Sequence, residues 1–214
     1  RSVFCLGRAE AKNGFQMPAS RAKRYFFRQA VLCGVTSSAQ LFMKGKLMNI
    51  RIAGTVEDSI VDGPGLRFVV FVQGCPHHCE GCHNPETHDF SAGKLTTTDA
   101  LYEMCMENPL CSGVTFSGGE PFCQPEALYE LGSRFKAAGK HLMCYSGWTF
   151  EELLKKSGSE EYVGKLLSIL DVLVDGRFDI SKRSLSLLFR GSSNQRLIDV
   201  PASLTNGEAV ELPE

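Results

Sequence analysis

The chain lacks several features that would each indicate a particular class of protein. None of its apolar runs approaches the length that spans a bilayer, so we expect no association with a membrane. Its formal net charge is only −1, so no overall field favours nucleic acid, and we expect no nucleic-acid partner. The sequence also contains no internal repeat and no low-complexity tract. A chain of 214 residues with this ordinary composition is enough for one folded domain with a core of normal size.

The nine cysteines do not form the pattern of a disulfide framework. Their number is odd, and three of them are clustered with the close spacing of a metal site. Such usage suits a reducing compartment, so we expect a cytoplasmic protein. Cys105, Cys111, Cys123 and Cys144 are scattered, and we interpret them as small buried hydrophobic residues.

The clustered cysteines lack a fourth partner. Cys75, Cys79 and Cys82 lie within eight residues, and no further Cys completes a nearby pair. Four closed ligands, usually arranged two and two, are typical of structural zinc. Four Cys likewise close a [4Fe–4S] cluster, so three leave one iron open to a substrate or cofactor. The triad therefore favours a catalytic iron–sulfur site, with a zinc loop or an incidental Cys cluster as alternatives.

Charge divides the chain at about residue 47. Residues 1–47 carry a net charge of +8, whereas residues 48–214 carry −9. The first segment, a basic N-terminal extension without a clear apolar period, has three possible interpretations: a targeting segment, a basic arm that binds a partner, or upstream sequence with no role. We favour the last, with Met48 as the true start and residues 48–214 as the folded domain.

Short apolar runs alternate with helical segments after Met48. We predict strands at 67–72, 113–116, 141–145 and 171–175, and helices from Thr98, Pro125 and Thr149 and around 166–170. This alternation predicts an α/β fold with mostly parallel strands, in which sites gather at the carboxyl ends of the strands. The segments that follow the strands should therefore line one edge of the sheet. The ending after Val200 is weakly patterned, and we expect it to be loosely ordered.

One of these segments, residues 117–121, reads Ser-Gly-Gly-Glu-Pro. Paired glycines let the backbone approach a ligand closely, and a carboxylate can accept an ammonium group. A lone Gly-Gly-Glu is usually only a turn. Its position directly after a strand, 35 residues beyond the last clustered Cys, favours a functional interpretation.

The Cys-x3-Cys-x2-Cys spacing resembles the signature of the radical S-adenosylmethionine (SAM) enzymes, and Gly118-Gly119-Glu120 resembles their GGE motif. From about Met48 to Val200 the chain is similar to the activating proteins of anaerobic ribonucleoside-triphosphate reductases. The further segments that carry this resemblance are 61–65, 83–85, 172–176 and 190–195. One departure is His78, which stands where the family usually has an aromatic residue before the second cluster Cys.

The resemblance implies an incomplete (βα) barrel of radical SAM type, together with specific residue roles. The resemblance assigns three ligands to the [4Fe–4S] cluster: Cys75, Cys79 and Cys82. The resemblance also assigns the binding of SAM to seven residues: Gly81, Cys82, His83, Ser117, Gly118, Gly119 and Glu120. Gly118, Gly119 and Glu120 would hold the amino end of SAM. No catalytic residue beyond the cluster is expected, because the cofactors supply the reactivity.

The function that the resemblance implies is the activation of another enzyme. The reduced cluster would cleave SAM, and the resulting radical would abstract a Cα hydrogen from a glycine of the anaerobic ribonucleoside-triphosphate reductase. An external one-electron donor such as flavodoxin would reduce the cluster. Two alternatives stay open: an activase of another glycyl radical enzyme such as pyruvate formate-lyase, and a non-catalytic metal-binding interaction module.

Overall fold

The computed structural model describes residues 47–213, which form one α/β unit around a seven-stranded sheet. The basic N-terminal extension, residues 1–47, lies outside the described residues, except for Leu47. The strands are β1 (Asn49–Ser59), β2 (Arg67–Val72), β3 (Lys94–Thr97), β4 (Gly113–Gly118), β5 (His141–Tyr145), β6 (Val172–Asp175) and β7 (Arg196–Asp199). The helices are α1 (Thr98–Glu107), α2 (Pro125–Ala137), α3 (Phe150–Ser157), α4 (Glu161–Ile169) and α5 (Val200–Asn206).

The sheet has a parallel centre and antiparallel edges. Its order is β3-β1-β2-β4-β5-β6-β7, and the neighbours among β2, β4, β5 and β6 pair in parallel. β1 runs antiparallel to both β2 and β3, and β7 runs antiparallel to β6. Because β3 and β7 lie at opposite edges and do not pair, the sheet stays open. This arrangement confirms the predicted incomplete barrel with mostly parallel strands.

Alternation along the strands determines which side chains face the helices. Leu142, Cys144 and Leu173 join the large hydrophobic cluster that includes the buried faces of α2, α3 and α4, whereas Met143 and Val174 lie in a smaller cluster. Successive strand residues point to opposite faces of a sheet, so the helices cover one face. Among the described residues, no helix has the length and apolar character that crossing a bilayer would require.

Local signals account for the helix boundaries. Thr149 begins α3 with a capping box, in which its hydroxyl accepts from the amide of Glu152 and the Glu152 carboxylate accepts from the amide of Thr149. Pro125 occupies the first turn of α2, where a missing N–H costs nothing. Both features were readable from the sequence, and both helices begin as predicted.

The expectation of a loosely ordered ending is wrong in the structure. α5 begins at Val200, which is buried, and Asp199 caps it by accepting from the amide of Ala202. Beyond the helix, the amide of Leu212 donates to the carbonyl of Leu197 at 2.7 Å. The sequence pattern is weak here because the segment is held by hydrogen bonds to β7 rather than by a periodic apolar face.

Candidate metal centre

Four loops meet at the carboxyl ends of the parallel strands and line one cavity of about 490 Å3. The lining comes from the Cys loop after β2, the glycine segment at the end of β4, residues 145–147 at the end of β5 and Gly176 after β6. The predicted convergence of these segments is therefore confirmed. Parallel strands start and end at common edges, so loops that are distant in sequence share one rim.

The Cys loop is closed at its base by hydrogen bonds. The amide of Gly74 donates to the carbonyl of Thr87 at 2.8 Å, and the amide of Cys75 donates to the carbonyl of His88 at 3.1 Å. The buried Gln73 side chain adds two bonds to this base, to the carbonyls of Glu86 (3.0 Å) and Asp89 (2.7 Å). The loop is thus held at both ends while its middle turns toward the cavity.

The three clustered thiols all line the cavity. Cys75, Cys79 and Cys82 are free cysteines, with Cys75 buried and the other two half-buried. The turn between them uses left-handed backbone at His78 (φ 47°) and at Gly81 (φ 69°). Soft thiolates are the donors that iron–sulfur clusters use, so the donor set fits a cluster held at three of its irons.

The pKa shifts of two thiols in the Cys loop are also consistent with the binding of a positively charged group. Burial raises the pKa of the Cys75 and Cys79 thiols, and in both cases the neighbouring cysteines add to the shift. Bound metal would stabilise the thiolates and release these protons. Within residues 47–213, no group of three or more His, Cys, Asp or Glu side chains is arranged to hold a single metal ion. A cluster places each thiolate on its own iron, so its ligands need not surround one point.

The glycine segment approaches the start of the Cys loop closely. The amide of Gly119 donates to the carbonyl of Val72, and the amide of Glu120 donates to the carbonyl of Gly74, both at 2.8 Å. A Cβ added at Gly118 would lie 2.6 Å from the amide nitrogen of Val72, and one at Gly119 would lie 2.4 Å from the carbonyl oxygen of Gly74. Both positions therefore require glycine. Ser117, Gly118 and Gly119 line the cavity.

Glu120 points into the protein rather than into the cavity. Its side chain is fully buried and is absent from the cavity lining. One oxygen accepts from the amide of Phe122 (3.0 Å), and the other accepts from the amide of Gly147 (2.8 Å) and from Nε2 of His77 (2.8 Å). The hydroxyl of Ser146 lies within 3.2 Å of both oxygens. The carboxylate therefore joins the Cys loop to the loop after β5, and its contact with an ammonium group stays a prediction.

The histidines around the triad take different positions. His77 is nearly fully buried and packs edge-on against Trp148, with ring centroids 4.6 Å apart. Since a carboxylate only accepts, Nε2 of His77 carries the proton in its bond to Glu120. His83 lines the cavity and packs against Phe178, with centroids 4.9 Å apart.

Gly81 does not line the cavity. It lies beneath Ile180, whose Cδ1 atom would be 2.3 Å from a Cβ at this position. Its positive φ and this close approach explain the glycine without a ligand. The assignment of Gly81 to a cofactor thus stays a prediction that rests on the resemblance alone.

The segment before β7 also reaches the cavity, although its composition indicates only a surface loop. Arg190, Gly191 and Gln195 line the cavity, and within residues 47–213 no other Lys or Arg lines it. The Gln195 side chain accepts from the amide of Gly191 at 2.9 Å and donates to the carbonyl of Gly176 at 3.0 Å. The one signal for these positions was the resemblance of residues 190–195 to the family.

Asp175, a strand-end residue that could have faced the site, is structural. Its buried carboxylate accepts from the amide of Phe150 at 2.7 Å, at the start of α3, and forms an ion pair with Arg196. It does not line the cavity. Tyr145, which belongs to a segment predicted at this edge, does line it, and so does Asp62, to which the sequence assigned no role.

The regions of similarity to known proteins lie in the folded part of the chain. Residues 61–198 match the family model described as "4Fe-4S single cluster domain". An anaerobic ribonucleoside-triphosphate reductase-activating protein of Enterobacteria phage T4 is 34% identical over 143 residues, which cover 64% of this chain and 86% of the relative. One of Haemophilus influenzae is 34% identical over 64% of this chain and 89% of its own. The pyruvate formate-lyase-activating enzyme of Clostridium pasteurianum is 40% identical over 114 residues, covering 49% of this chain and 48% of that enzyme.

Proposed function

We propose that this chain, which belongs to the family of anaerobic ribonucleoside-triphosphate reductase-activating proteins, generates a glycyl radical on an anaerobic ribonucleoside-triphosphate reductase. Family membership makes it an iron–sulfur activating enzyme of a glycyl radical enzyme. The proposal adds the identity of the partner and the use of SAM.

The observation that carries the proposal is the shared cavity. Three free thiols from one loop and the Gly118–Gly119 backbone line the same space at the carboxyl edge of the sheet. When bound there, a reduced cluster and SAM would supply the one-electron cleavage of the sulfonium that yields methionine and the hydrogen-abstracting 5′-deoxyadenosyl radical. The protein contributes binding, orientation and the exclusion of water.

Each residue has a proposed part in holding these groups. Cys75, Cys79 and Cys82 would hold three irons and leave the fourth to SAM. The backbone of Ser117, Gly118 and Gly119 would bind the amino end of SAM, which the absence of a Cβ at both glycines permits.

Glu120 and His83 have different parts in the proposed SAM site. Glu120 acts through the loops that it joins, because its carboxylate already accepts bonds from the protein on both oxygens. His83 lines the cavity beside the last cluster Cys and would approach the other groups of SAM. No acid–base pair is required, because hydrogen abstraction by a carbon radical transfers no proton to the protein.

The proposed protein substrate is a glycine in a loop of the reductase. Glycine has no side chain to obstruct approach, and the flanking amides delocalise the radical that remains when its Cα hydrogen leaves. A one-electron donor such as flavodoxin would reduce the cluster. Pyruvate formate-lyase is the second candidate partner, supported by the 40% identity to an enzyme named for its activation.

An anaerobic assay tests the proposal. The protein is reconstituted with iron and sulfide, reduced with dithionite and mixed with SAM and the cognate reductase, and 5′-deoxyadenosine and a doublet glycyl resonance are measured. We expect both products from the native protein. Deoxyadenosine without the resonance would reject the reductase and favour the formate-lyase, whereas no deoxyadenosine would reject radical chemistry.

A matched pair of cysteine variants assigns the cluster. Cys79→Ala should lose bound iron and deoxyadenosine formation, because two thiolates remain for a site that needs three. Cys123→Ala should retain both, since Cys123 lies outside the cavity that the triad lines. Equal iron contents in the two variants would contradict the assignment.

A further inference from the structure

Two cysteines that the proposed mechanism does not use lie side by side at the end of the sheet opposite the metal cavity. Cys105 is in the last turn of α1, and Cys111 lies two residues before β4 begins. Both are free and buried, with exposed fractions of 1% and 5%. Their Sγ atoms are 3.6 Å apart. Two thiols in contact can form a bond with each other, which a single buried thiol cannot.

Hydrogen bonds on several sides hold Cys111 in its position beside Cys105. The amide of Cys111 donates to the carbonyl of Asn108 at 3.2 Å. The carbonyl of Cys111 accepts from Nζ of Lys140, and its Sγ atom donates to the carbonyl of Gly113 at 3.2 Å. Because both the backbone and the sulfur of Cys111 are fixed in this way, the contact with Cys105 is a stable feature of the fold.

The separation of the two sulfurs suits the formation of a disulfide. The S–S bond is about 2.05 Å long, so the sulfurs must approach each other by about 1.5 Å. Modest rotations about the two Cα–Cβ bonds supply this movement. The bond would join the end of α1 to the segment before β4, which are already neighbours in the fold.

A small cavity gives access to the pair. Its volume is about 280 Å3, and both Cys105 and Cys111 line it. Such a space admits hydrogen peroxide, whereas glutathione disulfide, which consists of two linked tripeptides, is too large to enter. Burial raises the pKa of the Cys105 thiol to about 12, so this thiol is a poor first nucleophile at neutral pH. Cys111, the more exposed of the two, is therefore the sulfur that reacts first.

We propose that Cys105 and Cys111 form a redox site that hydrogen peroxide converts into a reversible disulfide. The Cys111 sulfur attacks one oxygen of the peroxide and the O–O bond breaks. The other oxygen leaves as water with the thiol proton, and a sulfenic acid remains on Cys111. The Cys105 sulfur then attacks this sulfur, so that the S–S bond forms, the S–O bond breaks and a second water leaves with the Cys105 proton.

The two thiols together lose two electrons and two protons, which reduce one peroxide to two waters. A thiol reductant reverses the reaction by exchange. The inference is independent of the proposed function, because neither of the two cysteines lines the metal cavity.

The test is a map of disulfide bonds in the full-length native protein, kept free of iron so that no cluster consumes the peroxide. After peroxide treatment, free thiols are blocked with N-ethylmaleimide under denaturing conditions, and the chain is cut after glutamate. Because Glu107 lies between Cys105 and Cys111, a bond between them joins two separate peptides, which mass spectrometry identifies. The internal control is Cys144, which is fully buried and whose Sγ donates to the carbonyl of Tyr145 rather than to a second sulfur.

We expect the joined peptides to form, to separate on treatment with dithiothreitol, and to show at least about tenfold more oxidation at Cys105 and Cys111 than at Cys144. Glutathione disulfide at the same concentration should give at least about tenfold less of the joined peptides, because it does not fit the cavity. If Cys105 and Cys111 are alkylated as completely as Cys144, or if Cys111 is oxidised to a sulfinic acid without joined peptides, the proposal is overturned.

Two variants test the order of the steps. In Cys105→Ala the sulfenic acid on Cys111 has no second thiol to react with, so it should persist and be trapped by dimedone. In Cys111→Ala the thiol of Cys105 should stay reduced and react with N-ethylmaleimide after denaturation. The opposite pattern, with dimedone on Cys105 and none on Cys111, would contradict the assignment of Cys111 as the first nucleophile.

Discussion

Replacing Glu120 by Gln tests whether its carboxylate connects the loops around the cavity. The substitution preserves side-chain volume and converts one accepting oxygen into an NH2 donor. In the native protein each oxygen faces a backbone donor, the amide of Phe122 at 3.0 Å for one and the amide of Gly147 at 2.8 Å for the other. Neither orientation of a glutamine amide can therefore satisfy both amides.

The expected cost follows from this mismatch. A buried donor that loses its acceptor costs about 1–3 kcal/mol, and here an NH2 group faces the orphaned N–H within a fully buried site. We expect Glu120→Gln to lower the free energy of unfolding by about 2 kcal/mol, against a typical total of about 5–15 kcal/mol.

Urea denaturation followed by tryptophan fluorescence measures this cost. Trp148 is the only tryptophan in the chain, and its ring centroid lies 4.6 Å from that of His77, a partner of Glu120. The proteins are compared without iron, so that metal binding does not contribute to the free energy of unfolding. The matched control is Glu103→Gln on the exposed side of α1, for which we expect a change within about 0.5 kcal/mol.

The two possible roles of the Glu120 carboxylate give different results. A Glu120→Gln protein as stable as the Glu103→Gln control, yet weakened in SAM binding after reconstitution, would show that the carboxylate serves the cofactor directly. Reduced stability together with a lower iron content would instead show that it serves the loops.

Two other predictions concern Gly147, beside the Cys loop, and the ion pair between Glu151 and Arg196. Gly147→Ala should weaken metal binding about tenfold by iron titration, because its Cβ would lie 2.3 Å from the buried ring of His77 beside the Cys loop. Gly54→Ala, where no heavy atom lies within 4 Å of the added Cβ, should bind metal normally, and equal titrations would contradict this account. A hydrogen bond from Arg196 lowers the pKa of Glu151 from its usual 4.5 to about 2, so this pair stabilises the fold above pH 4.5 and loses that contribution as the pH falls toward 2. Glu151→Gln should therefore reduce the fall in urea midpoint over that interval, and an unchanged acid profile would count against the pair.

The parallel centre of the sheet and the location of the metal loop could be predicted from the sequence alone. The run 67–72 is short, apolar and rich in β-branched and aromatic residues, and the Cys triad follows it directly. Such signals are local, because strand preference and ligand spacing depend on neighbouring residues. The antiparallel edges were not predicted. β3 and β7 are four residues each, and their pairing depends on partners that are distant in sequence.

The direction of individual side chains around the cavity depends on the tertiary structure. The sequence placed Glu120 beside two glycines but could not show that its carboxylate turns inward to the amides of Phe122 and Gly147. Nor could composition show that Gln195 joins the segment before β7 to the cavity wall through Gly176. Chain order places a residue in a loop, whereas the direction of its side chain depends on which donors and acceptors folding brings together from other strands.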